Sequence, residues 1–216
     1  YYWLAKVLSG DFTDNSETDE LRWMPIDEAS ELLTYAVDTD VLEKAKKRLL
    51  LAPTTRVLYA RHAHAHERRN WAGDDNLRPL DKKGRRQAEM LVPMLAPFHP
   101  TAIYSAAPQR CQQTAAPLAD ELGLDIAINK DFGDEVWLSN PTAAKAAFQR
   151  VVSRGGIPVI VSQGETIPGI LKDLDPKFLK VDFEDLKFKK GSVWVLSFNE
   201  GELTGADYLA SSLPVR

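Results

Sequence analysis

An α/β fold is predicted for residues 54–216, a three-layer arrangement with helices on both faces of a sheet. Three observations predict it. Strand and helix patterns alternate from residue 56 onward. Two runs, RVLYA and IPVIVS, are apolar at successive positions, as in strands buried on both faces. The last part, GSVWVLSFNEGELTGADYL, reads as a hairpin turning at Asn199, Glu200 and Gly201. Residues 1–52 form a separate block that reads as α+β, joined to the second through the short Pro-containing stretch APTT.

Each element has a local reason. In the first block, Tyr1, Trp3, Ala5 and Val7 alternate with Tyr2, Leu4 and Lys6, as in a strand with two faces. DFTDNSETDE is a polar, acidic loop, and LRWMPI reads as a second strand. Asp27 is an expected cap for the helix EASELL, and Asp40 for VLEKAKKRLLL, where Val41, Leu42, Ala45 and Leu49 share a face. About fifty residues are too few to bury an adequate core alone. In the second block, RVLYA and TAIYS are strands. Asp81 caps a helix with Ala88, Leu91, Val92 and Leu95 on one face. Pro108 suits the first turn of the next helix, and DIAIN is a strand. Asn140 and Pro141 form a cap and first helical position, and Gly155 and Gly156 stop that helix. IPVIVSQG is a strand feeding a helix. Pro93 and Pro117 fall inside two of these helices.

The 216 residues carry a formal charge of −4, mild enough to give no reason to expect nucleic acid or an acidic membrane as partner. No run approaches the roughly 20 apolar residues that cross a bilayer, and no signal sequence opens the chain. The single cysteine, Cys111, excludes an internal disulfide, so a cytoplasmic location is expected and Cys111 reads as core filler. The chain opens without Met, as a fragment of a longer protein would. Basic residues gather between Arg61 and Arg86, in an otherwise acidic chain. That excess fits a site for a small anion as well as it fits a solvated basic face.

LYARHAHAHERRNW, at 58–71, carries the chemistry. In an α/β sheet, ligands sit off the carboxyl ends of the strands. One strand end delivers Arg61 and His62, a second leads to Arg110 early in a helix, and a third delivers Gln163 and Gly164. A neutral imidazole attacks phosphorus well. Arginine forks bind phosphoryl oxygens, a helix N-terminus adds N–H donors, and a carboxylic acid can protonate the leaving oxygen. FGDEVW supplies Asp134 and Glu135 for that last role. Alternate positions could also turn His62, His64 and His66 one way for a metal ion. Against this, the only other histidine is His99, and Arg61, Arg68 and Arg69 would repel a cation, so no metal is expected.

RH at 61–62, PLDKKGRRQAE at 79–89 and YSAAPQRCQQTAAPLA at 104–119 resemble the histidine phosphatase superfamily, also called phosphoglycerate-mutase-like. Its pattern is R-H-G, then P-L-x-x-x-G-x-x-Q-A, then S-x-x-x-x-R-x-x-x-T. Pro79, Leu80, Gly84, Gln87 and Ala88 match the second element, and Ser105, Arg110 and Thr114 the third. The resemblance implies that His62 accepts the phosphoryl group, that Arg61 and Arg110 cradle it, and that Glu135 is the acid. It implies no cofactor for this domain. His64, Arg68 and Ser105 become candidates for substrate contact. Two positions depart from the pattern. Ala63 replaces the glycine after the histidine, at a cost of about 1–2 kcal/mol if that position needs positive φ. Gln163 stands where the family has its second histidine. A neutral phosphate-binding donor in place of a charged one costs about 1–2 kcal/mol, roughly ten- to thirtyfold in rate.

YYWLAKVLSGDF and ETDELRWMPIDEASELL resemble the last part of a Nudix domain, a late strand and acidic stretch before x-W-x-P-x-x-E-A and a helix. The two blocks together resemble the two-domain MutT-like Nudix hydrolases of actinobacterial type. That resemblance implies a parent acting on nucleoside polyphosphates, such as 8-oxo-dGTP, 8-oxo-GTP or diadenosine polyphosphates. The Nudix box, G-x5-E-x7-R-E-U-x-E-E-x-G-U, has no match in these 216 residues. Mg²⁺ is therefore expected only in a Nudix catalytic part outside this chain, the rest of that domain being the expected partner of the first block. The other partner is a phosphorylated small molecule, a nucleotide by resemblance. The rival expectation is a catalytically weak phosphate-binding or regulatory module. The sequence does not define the oligomeric state.

Overall fold

The computed structural model describes residues 7, 9–50, 53–174 and 186–211. The alternating stretch at 1–6, read above as a strand, lies outside the described residues. Two compact units divide the chain, Tyr1–Ala52 and Pro53–Arg216.

The first unit contains α1 (Ile26–Leu32) and α2 (Ala36–Leu50). Residues 21–25 are not a strand, contrary to expectation: they run without a sheet partner into α1. A run of strand-prone residues needs a neighbouring edge to satisfy its backbone, and none pairs with it among the described residues. Pro25, not Asp27, is the N-cap of α1. Asp27 instead lies in the first turn, where its charge faces the helix dipole, and pairs with Lys46. Asp40 is not a cap either. α2 begins at Ala36, and Asp40 pairs with Lys44 one turn on. No residue of α1 is buried, and Trp23 and Tyr35 are 76% and 70% exposed.

The second unit is an α/β sheet with helices on both faces, as expected. Its strands are β1 (Thr55–Arg61), β2 (Ala102–Ser105), β3 (Ile126–Ile128), β4 (Pro158–Ser162), β5 (Val193–Asn199) and β6 (Glu202–Leu209). Its helices are α3 (Lys82–Leu95), α4 (Gln109–Leu122), α5 (Asp134–Ser139), α6 (Pro141–Arg154) and α7 (Thr166–Asp173). The order across the sheet is β3-β2-β4-β1-β5-β6. β1, β2, β3 and β4 run parallel, and β5 and β6 complete the sheet antiparallel. β4 returns late in the chain to lie between β1 and β2, so three segments distant in sequence end side by side.

Burial explains the composition of the strands. Every residue of β4 is buried, and so are Val57, Leu58, Tyr59 and Ala60 of β1. Phe148 of α6 packs on Tyr59 and Phe198, with ring centroids 5.3 and 6.1 Å away. Cys111 is fully buried, and burial pushes its thiol pKa up to about 12, as core filler requires. Asp81 caps α3 by accepting from the Gly84 N–H, and Asn140 caps α6 with Pro141 at its first position. Pro108 stands just outside α4, as its N-cap. α3 and α4 continue through Pro93 and Pro117, each at the loss of one helical hydrogen bond. The β5–β6 hairpin turns on Glu200 and Gly201 alone, both at positive φ, while Asn199 pairs with Glu202 inside the ladder. Among the described residues no helix is long and apolar enough to cross a membrane.

Candidate functional site

Sheet register brings the site residues together. Arg61 at the end of β1 is paired with Ser162 of β4, so His62 and Gln163 leave adjacent strands at the same level. The His62 N–H donates to the Ser162 carbonyl at 3.0 Å. On the other side of β4, the Ala106 N–H donates to the Val161 carbonyl at 2.9 Å, and the chain turns at Pro108 into α4, which carries Arg110.

His62 is 6% exposed, and its Nδ1 lies 2.7 Å from the Ala63 carbonyl oxygen. A carbonyl can only accept, so Nδ1 holds the proton and Nε2 keeps a free lone pair. Burial above all pulls the imidazole pKa down to about 3; the Ala63 bond opposes this, while the charges of Arg110, Arg61 and Lys190 add to it. The ring is therefore neutral at pH 7. Neutral, with one nitrogen free, is the state a nucleophile needs.

Ala63 is not at positive φ, so the departure from glycine carries no backbone strain here. It is fully buried, and its N–H donates to Thr114 Oγ1 at 2.9 Å; that hydroxyl in turn donates to the Arg110 carbonyl at 2.6 Å. α4 thus holds the segment after the histidine and the second arginine in one piece.

Both arginines are spoken for on one side only. Arg61 donates from one terminal nitrogen to the Phe188 carbonyl at 2.7 Å and lies 5.4 Å from the centroid of that ring. Arg110, 3% exposed, donates to the Asp75 carbonyl at 2.7 Å and faces the Asp75 carboxylate at 3.2 Å. The Nε of each is buried with no acceptor among the described residues. A buried charged donor without an acceptor is costly, and an anion that reached either Nε would offset that cost.

Gln163, 6% exposed, accepts the Asp134 N–H through Oε1 at 3.1 Å. Its amide NH₂ is then what remains for a ligand oxygen. Asp134 Oδ1 accepts from Glu165 N, Thr166 N and Thr166 Oγ1, each at 2.9 Å, which fastens the start of α7 beside the site. Glu135 is not drawn in: its residue is exposed on α5, and no described hydrogen bond or ion pair engages its carboxylate. Successive residues of a helix point about 100° apart, so Asp134 turns inward and Glu135 turns out.

The remaining expected contacts sort differently. Ser105 is fully buried and donates to the Ala106 carbonyl, which makes it part of the strand end and not a surface that meets ligand. Arg68 is exposed and reaches the site only through Asp75, at 3.1 Å. His64 is tied by Nδ1 to Asp81 at 2.6 Å and by its N–H to Gln87 at 2.9 Å. His66 lies against Trp71, with ring centroids 6.5 Å apart. The three alternating histidines have thus taken three separate sets of partners. Among the described residues no group of three His, Cys, Asp or Glu side chains is placed to hold a metal ion.

Residues 57–137 match the histidine phosphatase superfamily, branch 1. That match supports a histidine phosphatase superfamily domain over those residues. It is also 43% identical over 210 residues to an 8-oxo-(d)GTP phosphatase of Mycolicibacterium smegmatis, a match covering 97% of this chain and 64% of that protein. The chain therefore spans less than two thirds of the length of that relative. Among solved structures, the protein histidine phosphatase SixA complexed with tungstate has a TM-score of 0.60 at 16% identity, covering 72% of this chain and 97% of that one. A phosphoglycerate mutase from Bacillus anthracis has a TM-score of 0.56 at 18% identity, covering 70% and 91%. At those identities the structures speak for the fold. The family match supports a phosphohydrolase.

Three residues around the His62 site escaped the sequence reading. Asp75 bonds Arg78 at 2.8 Å, Arg68 at 3.1 Å and Arg110 at 3.2 Å. Burial pushes its carboxyl pKa up, but the hydrogen bonds from Arg78 and Arg68 and the charge of Arg110 outweigh that and bring it down to about 2. Arg78, 8% exposed, also donates to the His66 carbonyl at 2.6 Å. Lys190 lies within electrostatic reach of His62, Arg61, Arg78 and Arg110. Asp75 and Arg78 stand in the basic run between 61 and 86, where sequence gave no means of separating buried from surface charge. Lys190 comes from a segment with no motif at all.

Proposed function

We propose that residues 54–216 dephosphorylate a nucleotide or another small phosphate ester through a phosphohistidine at His62, without a cofactor. The single observation that carries this is a buried, neutral His62 with Nε2 free, flanked by two arginines whose Nε atoms lack acceptors. In the step, the Nε2 lone pair forms the N–P bond, the P–O bond to the leaving group breaks with its electrons, and water later cleaves the N–P bond. Arg61, Arg110 and the Gln163 amide would bind the phosphoryl oxygens.

The leaving group points toward nucleotides. A leaving alkoxide must be protonated, and the expected acid, Glu135, is exposed. A leaving phosphate has a second pKa of about 6 and departs as an anion without that help. This supports a phosphoanhydride, such as a nucleoside diphosphate or triphosphate, over an alkyl phosphate. The name of the Mycolicibacterium relative supports the same substrate class. On this reading the first unit is the tail of a Nudix domain in a longer parent that acts on nucleoside polyphosphates, with Mg²⁺ confined to the Nudix catalytic part. The exposed Trp23, Tyr35 and Leu32 of the first unit suit a surface that the rest of such a domain would cover. The lone buried thiol supports reading the location as cytoplasmic.

A second reading has one observation of its own. Gln163 is held by Asp134 and offers only a neutral donor, which suits a phosphate-binding module with weak turnover. The test is release of phosphate from a nucleoside diphosphate and from an alkyl phosphate, with chelator present. The proposal expects turnover of the first, little of the second, and none in His62→Ala. Equal rates for wild type and His62→Ala would reject it; binding of phosphate without turnover would favour the second reading.

A further inference from the structure

Lys190 is placed by its backbone. The Gly191 N–H donates to the carbonyls of both Arg61 and His62, at 3.2 and 3.3 Å. Gly191 has φ +73°, a turn that suits a residue without Cβ. The Lys190 carbonyl accepts from Gln87 Nε2 at 3.3 Å, and Oε1 of the same amide accepts the His64 N–H at 2.9 Å. Residue 190 is therefore pinned over the end of β1, between the two segments that leave the His62 site.

The surroundings of its ammonium are cationic. Arg61, Arg78 and Arg110 bear on it unfavourably, and Asp81 is the one carboxylate among the charges that act on it. Arg78 and Arg110 share the Asp75 carboxylate, but Lys190 has no such partner: among the described residues none accepts from Nζ. The side chain is half-buried. A half-buried ammonium beside guanidinium groups, with no acceptor of its own, is well placed to attract an anion. It adds a third unpartnered donor to the two orphaned Nε atoms of the site.

We infer that Lys190 is a phosphate-binding residue of the His62 site, donating from Nζ to a phosphate oxygen of a substrate that carries more than one phosphate. This rests on the phosphohydrolase reading above and extends it. Arg61 and Arg110 suffice for one phosphoryl group; Lys190 supplies the charge for its neighbour. The residue binds substrate and takes no proton from it.

The test uses the whole chain with Lys190→Ala and Lys190→Arg, and Lys190→Met should the alanine variant fold poorly. Calorimetric titration with inorganic phosphate and with pyrophosphate reads binding directly; steady-state hydrolysis of a nucleoside diphosphate reads turnover. Lys190→Ala is expected to weaken pyrophosphate binding and raise KM about tenfold, with kcat changed less and phosphate binding changed less. Lys190→Arg should restore both to within about threefold. Pyrophosphate binding and KM within twofold of wild type in Lys190→Ala or Lys190→Met would overturn the inference while leaving the phosphatase reading intact. A wild-type chain that neither binds phosphate nor hydrolyses the diphosphate would overturn both.

Discussion

Replacing Thr114 by valine removes one hydroxyl and keeps the shape. Thr114 is 1% exposed, and its Oγ1 is the acceptor for the buried Ala63 N–H at 2.9 Å. Valine leaves that N–H without a partner in a place water does not reach. The expected cost is about 1–3 kcal/mol, the penalty of an unsatisfied buried donor. The other bond of the hydroxyl, to the Arg110 carbonyl, matters less, because the helical ladder of α4 already serves that oxygen. With a urea m-value of about 2 kcal/mol per M, the unfolding midpoint should fall by about 0.5–1.5 M at unchanged slope. Function should suffer beyond stability. The hydroxyl is the one described bond between the residue following His62 and the helix bearing Arg110, so its loss loosens the spacing of nucleophile and phosphate clamp. Below the new midpoint, kcat is expected to fall about tenfold, as a loss of about 1.4 kcal/mol of transition-state stabilisation would produce. Thr114→Ser keeps the hydroxyl and should recover most of kcat. A valine variant with wild-type midpoint and kcat would show that this tether does not hold the site.

Gly84→Ala should destabilise the second unit by about 1–3 kcal/mol or more, read by urea unfolding, because its Cβ would stand 1.7 Å from the His64 carbonyl oxygen and the backbone there must move. His62 has a folded pKa of about 3 against an ordinary 6.5, so between those values the unfolded chain binds the extra proton and stability falls as pH falls. The slope from this one group is about 1.4 kcal/mol per pH unit; His62→Asn should show a shallower pH dependence of the unfolding midpoint between pH 6.5 and 3. Gln163→His should change kcat by less than about threefold. The new ring would have to accept the Asp134 N–H at Nδ1 and so stay neutral, and a rise of ten- to thirtyfold would show it charged instead.

The second unit was legible because its signals are local. Asp81, Asn140, Pro141 and Gly155 punctuate helices by their own chemistry, and the buried runs of β1 and β4 declare themselves by having no polar alternation. The residues at strand ends followed from the same reasoning, since an α/β sheet collects its ligands there. What escaped depends on tertiary placement. LRWMPI has strand residues but, among the described residues, no edge to pair with, and no sequence pattern states whether an edge exists. Asp134 and Glu135 are chemically interchangeable neighbours, separated only by which way the first turn of α5 faces. Ser105 matches a motif yet points into the strand end. Asp75 and Lys190 reach the site from stretches whose charges look like ordinary surface until the fold draws them toward the arginines. The concern over Ala63 dissolved for a similar reason: the φ of that residue depends on how the strand exits, which the family pattern alone does not state.

The most direct measurement of the central claim is capture of the covalent intermediate. Rapid acid-free quench of the chain during turnover of a nucleoside diphosphate, followed by peptide mass mapping under basic conditions, reports any phosphoryl group on nitrogen. A phosphohistidine at His62, absent in His62→Asn, is what the geometry predicts. Turnover with no phosphoryl group on His62, or with one on His64 or His66 instead, would contradict it.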